Sequence, residues 1–138
     1  MESHLELSDL YFEQKLQDGT FDPKLFNHEA HLRLAWIQIK KLGFEKGLTV
    51  TKTQILNFVS QIGAEDKYNE TLTIAAFRVV YHFMLKSDSD NFVSFITEFP
   101  QLKTSFKELL DKHYSKRKYL CEKAKYVFIE PDKIPFGE

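Results

Sequence analysis

The sequence has almost no net charge, a single cysteine and no long apolar run, and each shortage excludes a class of protein. Among its 138 residues, 19 Lys and Arg stand against 20 Asp and Glu, giving a formal net charge of −1 at pH 7. Such a balance lacks the excess of positive charge by which proteins bind the phosphates of nucleic acid. We therefore expect no nucleic-acid partner.

The cysteine content and the hydropathy pattern indicate the cellular compartment in which the protein is expected. Cys121 is the sole cysteine, which excludes an internal disulfide and is typical of a reducing cytoplasm. No stretch approaches the roughly 18 consecutive apolar residues that a membrane-spanning helix needs. The N-terminal letters MESHLELSDL lack the basic segment and apolar run of a signal peptide. These absences predict a cytoplasmic protein without a membrane partner.

The sequence is rich instead in amphipathic helical segments. Apolar residues recur at three- and four-residue spacing, with capping residues before the segments and glycines after several of them. We find no internal repeat, low-complexity segment or β-hairpin signal. The length suits one domain. We predict an all-α, single-domain bundle spanning residues 1–138, with about five to seven helices and an extended C-terminal tail beyond Pro131.

Three of the predicted helices matter for the site. Asn27 is a suitable N-cap for a helix that runs to about Lys41, before Gly43. The following segment, 44–62, has helical spacing but a β-branched centre at 49–53, which weakens the prediction there. Asn69 is the expected cap of a strong helix that begins at Glu70.

A pair of histidines lies near the start of the first of these helices, in the stretch FNHEAHLRLAW (26–36). At about 100° per residue, His28 falls within about 40° of Leu32, Ala35 and Ile39, the apolar stripe that such a helix buries. His31 lies about 60° to the side of His28. Both imidazoles are thus predicted to reach one point beside this helix. Glu29, in the first turn, is explained by the helix dipole.

Glu70 is the predicted partner of the pair, because a carboxylate on an apolar helix side calls for one. With His28 and His31 it would form a two-His, one-carboxylate set, as used by zinc and non-haem iron. Manganese is a further candidate metal. The same three side chains suit a metal-free acid/base pocket, or a buried hydrogen-bond network without a ligand. The residues leave these alternatives open.

Three motif blocks resemble a family of small, uncharacterised bacterial all-helical proteins. The blocks are FNHEAHLRLAW, then KYNETLT (67–73), then HYSKRKYLCEKAKYVFIEPDKIP (113–135). The family pattern is F-x-H-x-x-H-L-R-L-A-W, then K-Y-H-E-T-x-T, then Y-S-x-x-x-L with a closing P-D-x-x-P. The resemblance implies a site more than an activity, with motif positions at His28, His31, Arg33, Trp36, Tyr68, Glu70 and Thr71.

Asn69 departs from the family pattern, which has a histidine at that position. If that histidine were a third imidazole ligand, this chain would bind metal weakly or not at all. Asn69 can still cap the helix or accept a hydrogen bond. Arg33, Tyr68 and Asn69 are the predicted ligand-binding neighbours of the His/His/Glu set. Arg33 could pair with Glu70 or an anionic ligand, or form a solvated salt bridge.

Two functions remain open from the sequence, and no reaction follows from it. The leading hypothesis is a small-molecule or metal-binding helical domain with His28, His31 and Glu70 as its catalytic or metal-binding residues. The alternative is a non-catalytic protein-interaction module in which the His/Glu cluster is a structural network. The segment 112–125, rich in cations, could contact an acidic partner or form a solvated face.

Overall fold

A computed structural model of the chain describes residues 3–136 and contains no strand in that range. The predicted all-α class is therefore confirmed. The seven α-helices of the described range are α1 (Asp9–Asp18), α2 (His28–Gln61), α3 (Glu70–Met84), α4 (Phe92–Glu98), α5 (Gln101–Thr104), α6 (Phe106–Asp111) and α7 (Glu122–Tyr126). Short 3₁₀ helices lie at His4–Glu6, Pro23–Leu25, Glu65–Lys67 and Ser115–Leu120.

The chain packs as two compact units that divide between Tyr68 and Asn69. The first unit contains α1 and α2, and the second contains α3 to α7. The prediction of a single domain stays a prediction. None of the helices in residues 3–136 combines the length and the apolar character needed to cross a membrane.

In the first unit, α2 is a helical hairpin. Gly43 interrupts it with φ 83° and ψ −174°, a conformation that only glycine adopts readily. A Cβ on Gly47 would lie 3.0 Å from the carbonyl oxygen of Gln38, so the arms 28–42 and 44–61 approach each other closely. The Gln38 amide also donates to Gln54 Oε1 at 3.1 Å. The predicted break at Gly43 is confirmed.

The predicted weak centre of the second arm is wrong, because residues 44–61 form a continuous helix. Thr51 and Ile55 lie on its buried side, with 2% and 7% of their surfaces exposed. Tertiary burial of this kind outweighs the small helix penalty of β-branched residues.

Aromatic rings hold the loop between α1 and α2. Ring centroids are separated by 5.0 Å for Phe12–Phe21, 5.6 Å for Phe21–Phe26 and 4.7 Å for Phe26–Phe58. All four side chains are buried, and edge-to-face packing adds to their apolar burial. The loop is thereby fixed where it delivers Asn27 to the start of α2.

In the second unit, α3 packs against α6, the 3₁₀ helix Ser115–Leu120 and α7. Its buried side carries Ile74, Phe77 and Val80. Residues 127–136, which we call the C-terminal strap, follow α7 without further helix. The strap corresponds to the predicted tail, although it begins four residues earlier.

Candidate functional site

His28 is the first residue of α2, and its side chain is exposed. The prediction that it joins the buried stripe is wrong, whereas Leu32, Ala35 and Ile39 on that stripe are buried as expected. The reason is geometric. A helical side chain leans over the turn N-terminal to its own Cα, and His28 has no such turn beneath it.

His31 is half-buried and its ring lies against Phe26, with centroids 4.1 Å apart. Its Nδ1 is 2.9 Å from the carbonyl oxygen of Asn27, so Nδ1–H donates and Nε2 keeps the lone pair. Burial lowers the pKa of His31, the bond to Asn27 partly opposes this, and the charge of His28 lowers it further. At pH 7 the imidazole is therefore neutral.

Glu29 does more than balance the helix dipole. Its side chain is 11% exposed, and its Oε1 lies 3.0 Å from Nε2 of His4. His4 itself is only 1% exposed. Each of these two buried polar groups provides the partner that the other needs. Their bond connects the N-terminal 3₁₀ helix to α2.

Arg33 forms a salt bridge with Asp9, whose side chain is 51% exposed. Arg33 itself is only 5% exposed, so the pair is solvated at the aspartate and not at the guanidinium. Its Nη2 donates to Asp9 Oδ1 at 2.8 Å and to the Leu7 carbonyl at 2.6 Å. Its Nη1 donates to the His4 carbonyl at 2.5 Å and faces His4 Nδ1 at 3.4 Å. Its Nε donates to Asp9 Oδ1 at 3.3 Å. All five N–H groups of the guanidinium are thus directed at acceptors within the unit.

His4, Asp9, Glu29 and Arg33 form one assembly, which we call the N-terminal polar cluster. The neutral Nε2–H tautomer of His4 fits it, since Nε2 then donates to Glu29 while Nδ1 accepts from Arg33. Sequence reasoning missed His4 and Asp9. Their partners lie 24 to 29 residues along the chain, so no helical spacing could connect them.

In the second unit, Asn69 uses both ends of its amide. Its Oδ1 accepts from the backbone N–H of Leu72 at 2.9 Å, which confirms the predicted N-cap. Its Nδ2 donates to the carbonyl of Tyr119, also at 2.9 Å. The first bond satisfies an orphan donor of α3, and the second holds the end of the 3₁₀ helix that precedes α7.

Thr71 is fully buried and joins α3 to the C-terminal strap. Its hydroxyl donates to the carbonyl of Val127 and accepts from the N–H of Ile129, both at 2.9 Å. A single side chain thus provides the hydrogen-bond partner of two backbone groups in the strap. This role could not be read from the helix that contains Thr71.

The third motif block folds back on itself. The Ser115 hydroxyl donates to Asp132 Oδ2, and its N–H donates to Oδ1 at 2.9 Å. The Tyr114 hydroxyl donates to the Ile129 carbonyl at 2.6 Å. The two bonds from Ser115 are the main reason that the pKa of Asp132 is lowered from its ordinary 3.8 to about 2. The Y-S and P-D elements of the motif therefore meet in space.

An open, shallow depression of about 440 Å³ lies beside these bonds, lined by Asp111, Tyr114, Ser115, Lys116, Arg117 and Lys133. Arg117 is committed to Asp111, with Nη2 and Oδ2 3.0 Å apart. Lys133 donates to the carbonyl of Asp111 at 2.8 Å. Most of the polar lining is thus engaged within the protein, and the depression lacks the apolar enclosure of a typical ligand pocket.

Glu70 and Tyr68 are half-buried, at the start of α3 and just after the 3₁₀ helix Glu65–Lys67 respectively. Within residues 3–136, no three His, Cys, Asp or Glu side chains are grouped so that they could hold a metal ion. The set of His28, His31 and Glu70 stays a prediction, and this geometry adds no support to a metal there.

Comparison of the chain with protein-family models, curated proteins and solved structures found no match. The resemblance carried by the three motif blocks therefore stays a prediction. The structure does provide a physical role for several motif positions, since Arg33, Asn69 and Thr71 each hold separate chain segments together.

We predict that Thr71→Val lowers the free energy of unfolding by about 1–3 kcal/mol, because it leaves the Val127 carbonyl and the Ile129 N–H unpaired. Chemical denaturation monitored by circular dichroism measures the change. Thr73→Val, two residues along the same helix, is the matched control and should change stability by less than about 0.5 kcal/mol. Thr71→Ser should retain most of the stability, and equal losses for Thr71→Val and Thr73→Val would contradict the assignment.

The depressed pKa of Asp132 predicts acid sensitivity. Its folded-state pKa lies below the unfolded value, so its contribution to stability is present above pH 3.8 and is lost as the pH falls towards 2. Urea midpoints measured across that window should fall less steeply for Asp132→Asn than for the parent chain. Asp88→Asn, at an exposed aspartate, should keep the parent slope. An unchanged slope in Asp132→Asn would show that Ser115 does not hold the carboxylate in solution.

Proposed function

We propose that this chain is a non-catalytic protein-interaction module whose buried polar side chains hold the fold. The observation that carries this proposal is the engagement of Arg33, whose N–H groups are directed at Asp9, Leu7 and His4. A guanidinium reserved for an anionic ligand would keep donors directed at a cavity.

The motif residues of the second unit support the same interpretation. Asn69 caps α3 and donates to the carbonyl of residue 119. The Thr71 hydroxyl bonds the backbone of residues 127 and 129. Functional sites commonly retain polar groups at a cost to stability, whereas these groups satisfy backbone atoms of the same unit. Their arrangement favours a structural role.

An interaction module also needs a surface for its partner. In the second unit, Leu120, Tyr126 and Val127 expose 64%, 68% and 52% of their surfaces. Large apolar side chains left this open are typical of contact sites when they are adjacent. Tyrosine is moreover enriched among residues that dominate binding energy.

We predict that Arg33→Met lowers the free energy of unfolding by about 1–3 kcal/mol, because the buried His4 and the half-buried Leu7 carbonyl lose a charged donor. Arg33→Lys should not restore it, since an ammonium cannot reproduce the planar fork. Lys40→Met, an exposed cation on the same arm of α2, is the matched control and should be nearly neutral. Denaturant unfolding measures all three. Unchanged or increased stability in Arg33→Met would indicate a ligand-binding residue and contradict the proposal.

Metal or small-molecule binding by the histidine pair is the second candidate, and one observation favours it. Because its pKa is lowered, His31 is neutral at pH 7, which is the form that ligates metals. If the pair binds metal, chelator-free protein reloaded with zinc, iron or manganese should retain about one ion per chain. Mass spectrometry should then find that ion lost in His28→Ala and kept in His82→Ala. Equal metal content in all three proteins would exclude this candidate.

A further inference from the structure

The exposed face of α7 combines apolar and cationic side chains. Ala124 is fully buried, and Tyr126, two residues further, lies on the opposite side of the helix. The Val127 N–H donates to the Lys123 carbonyl at 3.0 Å, so Lys123 lies one turn from both Tyr126 and Val127. We call Lys123, Tyr126 and Val127 the α7 face; Leu120 is exposed just before this helix.

The backbone on both sides of the α7 face is fixed to α3. Asn69 holds the carbonyl of Tyr119, and Thr71 holds the carbonyl of Val127. The Tyr119 side chain is buried, and so is Ala124, which lies between the two points along the chain. The face therefore cannot turn inwards without breaking these bonds, and a pre-organised surface loses less conformational entropy on binding.

The chain segment that leads into α7 and forms it is rich in cations, although the whole chain is nearly neutral. Residues 112–125 contain six Lys or Arg and one acidic residue. Arg117 and Lys118 are paired with Asp111 and Asp132. The other cations of this segment on exposed positions make no ion pair within residues 3–136; they are Lys112, Lys116 and Lys123.

We propose that the α7 face docks an acidic, amphipathic segment of another protein, an inference that rests on the proposed function. Tyr126 and Val127 would supply the apolar centre of the interface. Its cationic rim would be Lys123 and Lys125, whose Nζ lies 5.9 Å from the ring centroid of Tyr126. The positive rim would steer a negatively charged segment to the face and repel basic ones.

A protein segment suits this face better than nucleic acid or a lipid surface. Nucleic-acid binding depends on many cations that neutralise phosphates, and here the chain carries a net charge of −1. Membrane-surface helices need a long apolar face, whereas α7 has five residues. A short apolar centre with a charged rim matches the anatomy of a protein interface.

The test uses the full chain and a panel of acidic 18-residue peptides with apolar residues at helical spacing. Scrambled peptides of identical composition provide the first control. Titration calorimetry should give saturable binding of at least one patterned peptide and none of its scrambled form. A fluorophore on Cys121, the sole cysteine, which is exposed at the start of α7, should respond in the same titration.

Matched variants locate the site. Tyr126→Ala should weaken binding at least about tenfold, as expected for a residue at the centre of an interface. Lys123→Glu should weaken it as much, because it replaces a cation of the rim by a charge that repels an acidic segment. Lys46→Glu and Tyr11→Ala make the same changes at exposed positions of the first unit and should leave the affinity within about twofold. Equal losses in both sets would overturn the proposal.

Two further results would overturn it as well. One is the absence of saturable binding to every patterned peptide. The other is tighter binding to a single-stranded DNA oligonucleotide or to phosphatidylglycerol vesicles than to the peptides. If Arg33→Met loses stability and either of these two results is obtained, docking at the α7 face is rejected, but the structural role of the N-terminal polar cluster is not. A neutral Arg33→Met would instead reject the proposed function itself.

Discussion

The buried guanidinium of Arg33 imposes the strongest constraint on the first unit. Removing a charge from water costs free energy, and close hydrogen-bonding or charged partners are needed to offset that cost. Here the partners are backbone carbonyls of residues 4 and 7 and the carboxylate of Asp9. The face of Phe12 lies 4.8 Å from the guanidinium carbon and adds a cation–π contact. The N-terminal 3₁₀ helix and the start of α1 are consequently arranged around one side chain of α2.

The second unit depends on a different constraint: most of its helices are too short to be stable alone. Helices α4 to α7 have seven, four, six and five residues, well below the length at which isolated helices persist in water. Cross-connections from α3 compensate. Asn69 and Thr71 satisfy backbone groups of residues that lie 50 to 58 positions later, which keeps the C-terminal strap and α7 in place.

The polar residues show where sequence reasoning succeeds and where it stops. Asn69 was predictable as an N-cap because capping depends on neighbours three residues away. Its second bond, to Tyr119, was not. The histidine pair shows the same limit, since helical periodicity correctly identified the buried stripe but could not show that His28 lies at its open end. Arg33 was recognised as a motif residue, yet its burial and partners were missed, because they depend on segments far away in sequence.

Local rules acting within a few residues determined the all-α class, the break at Gly43 and the caps at Asn27 and Asn69. The sequence by itself therefore specified where α2 and α3 begin and where α2 is interrupted. Only the tertiary structure decided which polar groups are buried together. His4 meets Glu29 and Arg33, and Thr71 meets the strap, because chain folding over tens of residues brings them into hydrogen-bonding distance. Such pairings have no periodic signature, since their energy depends on burial and geometry and not on local spacing.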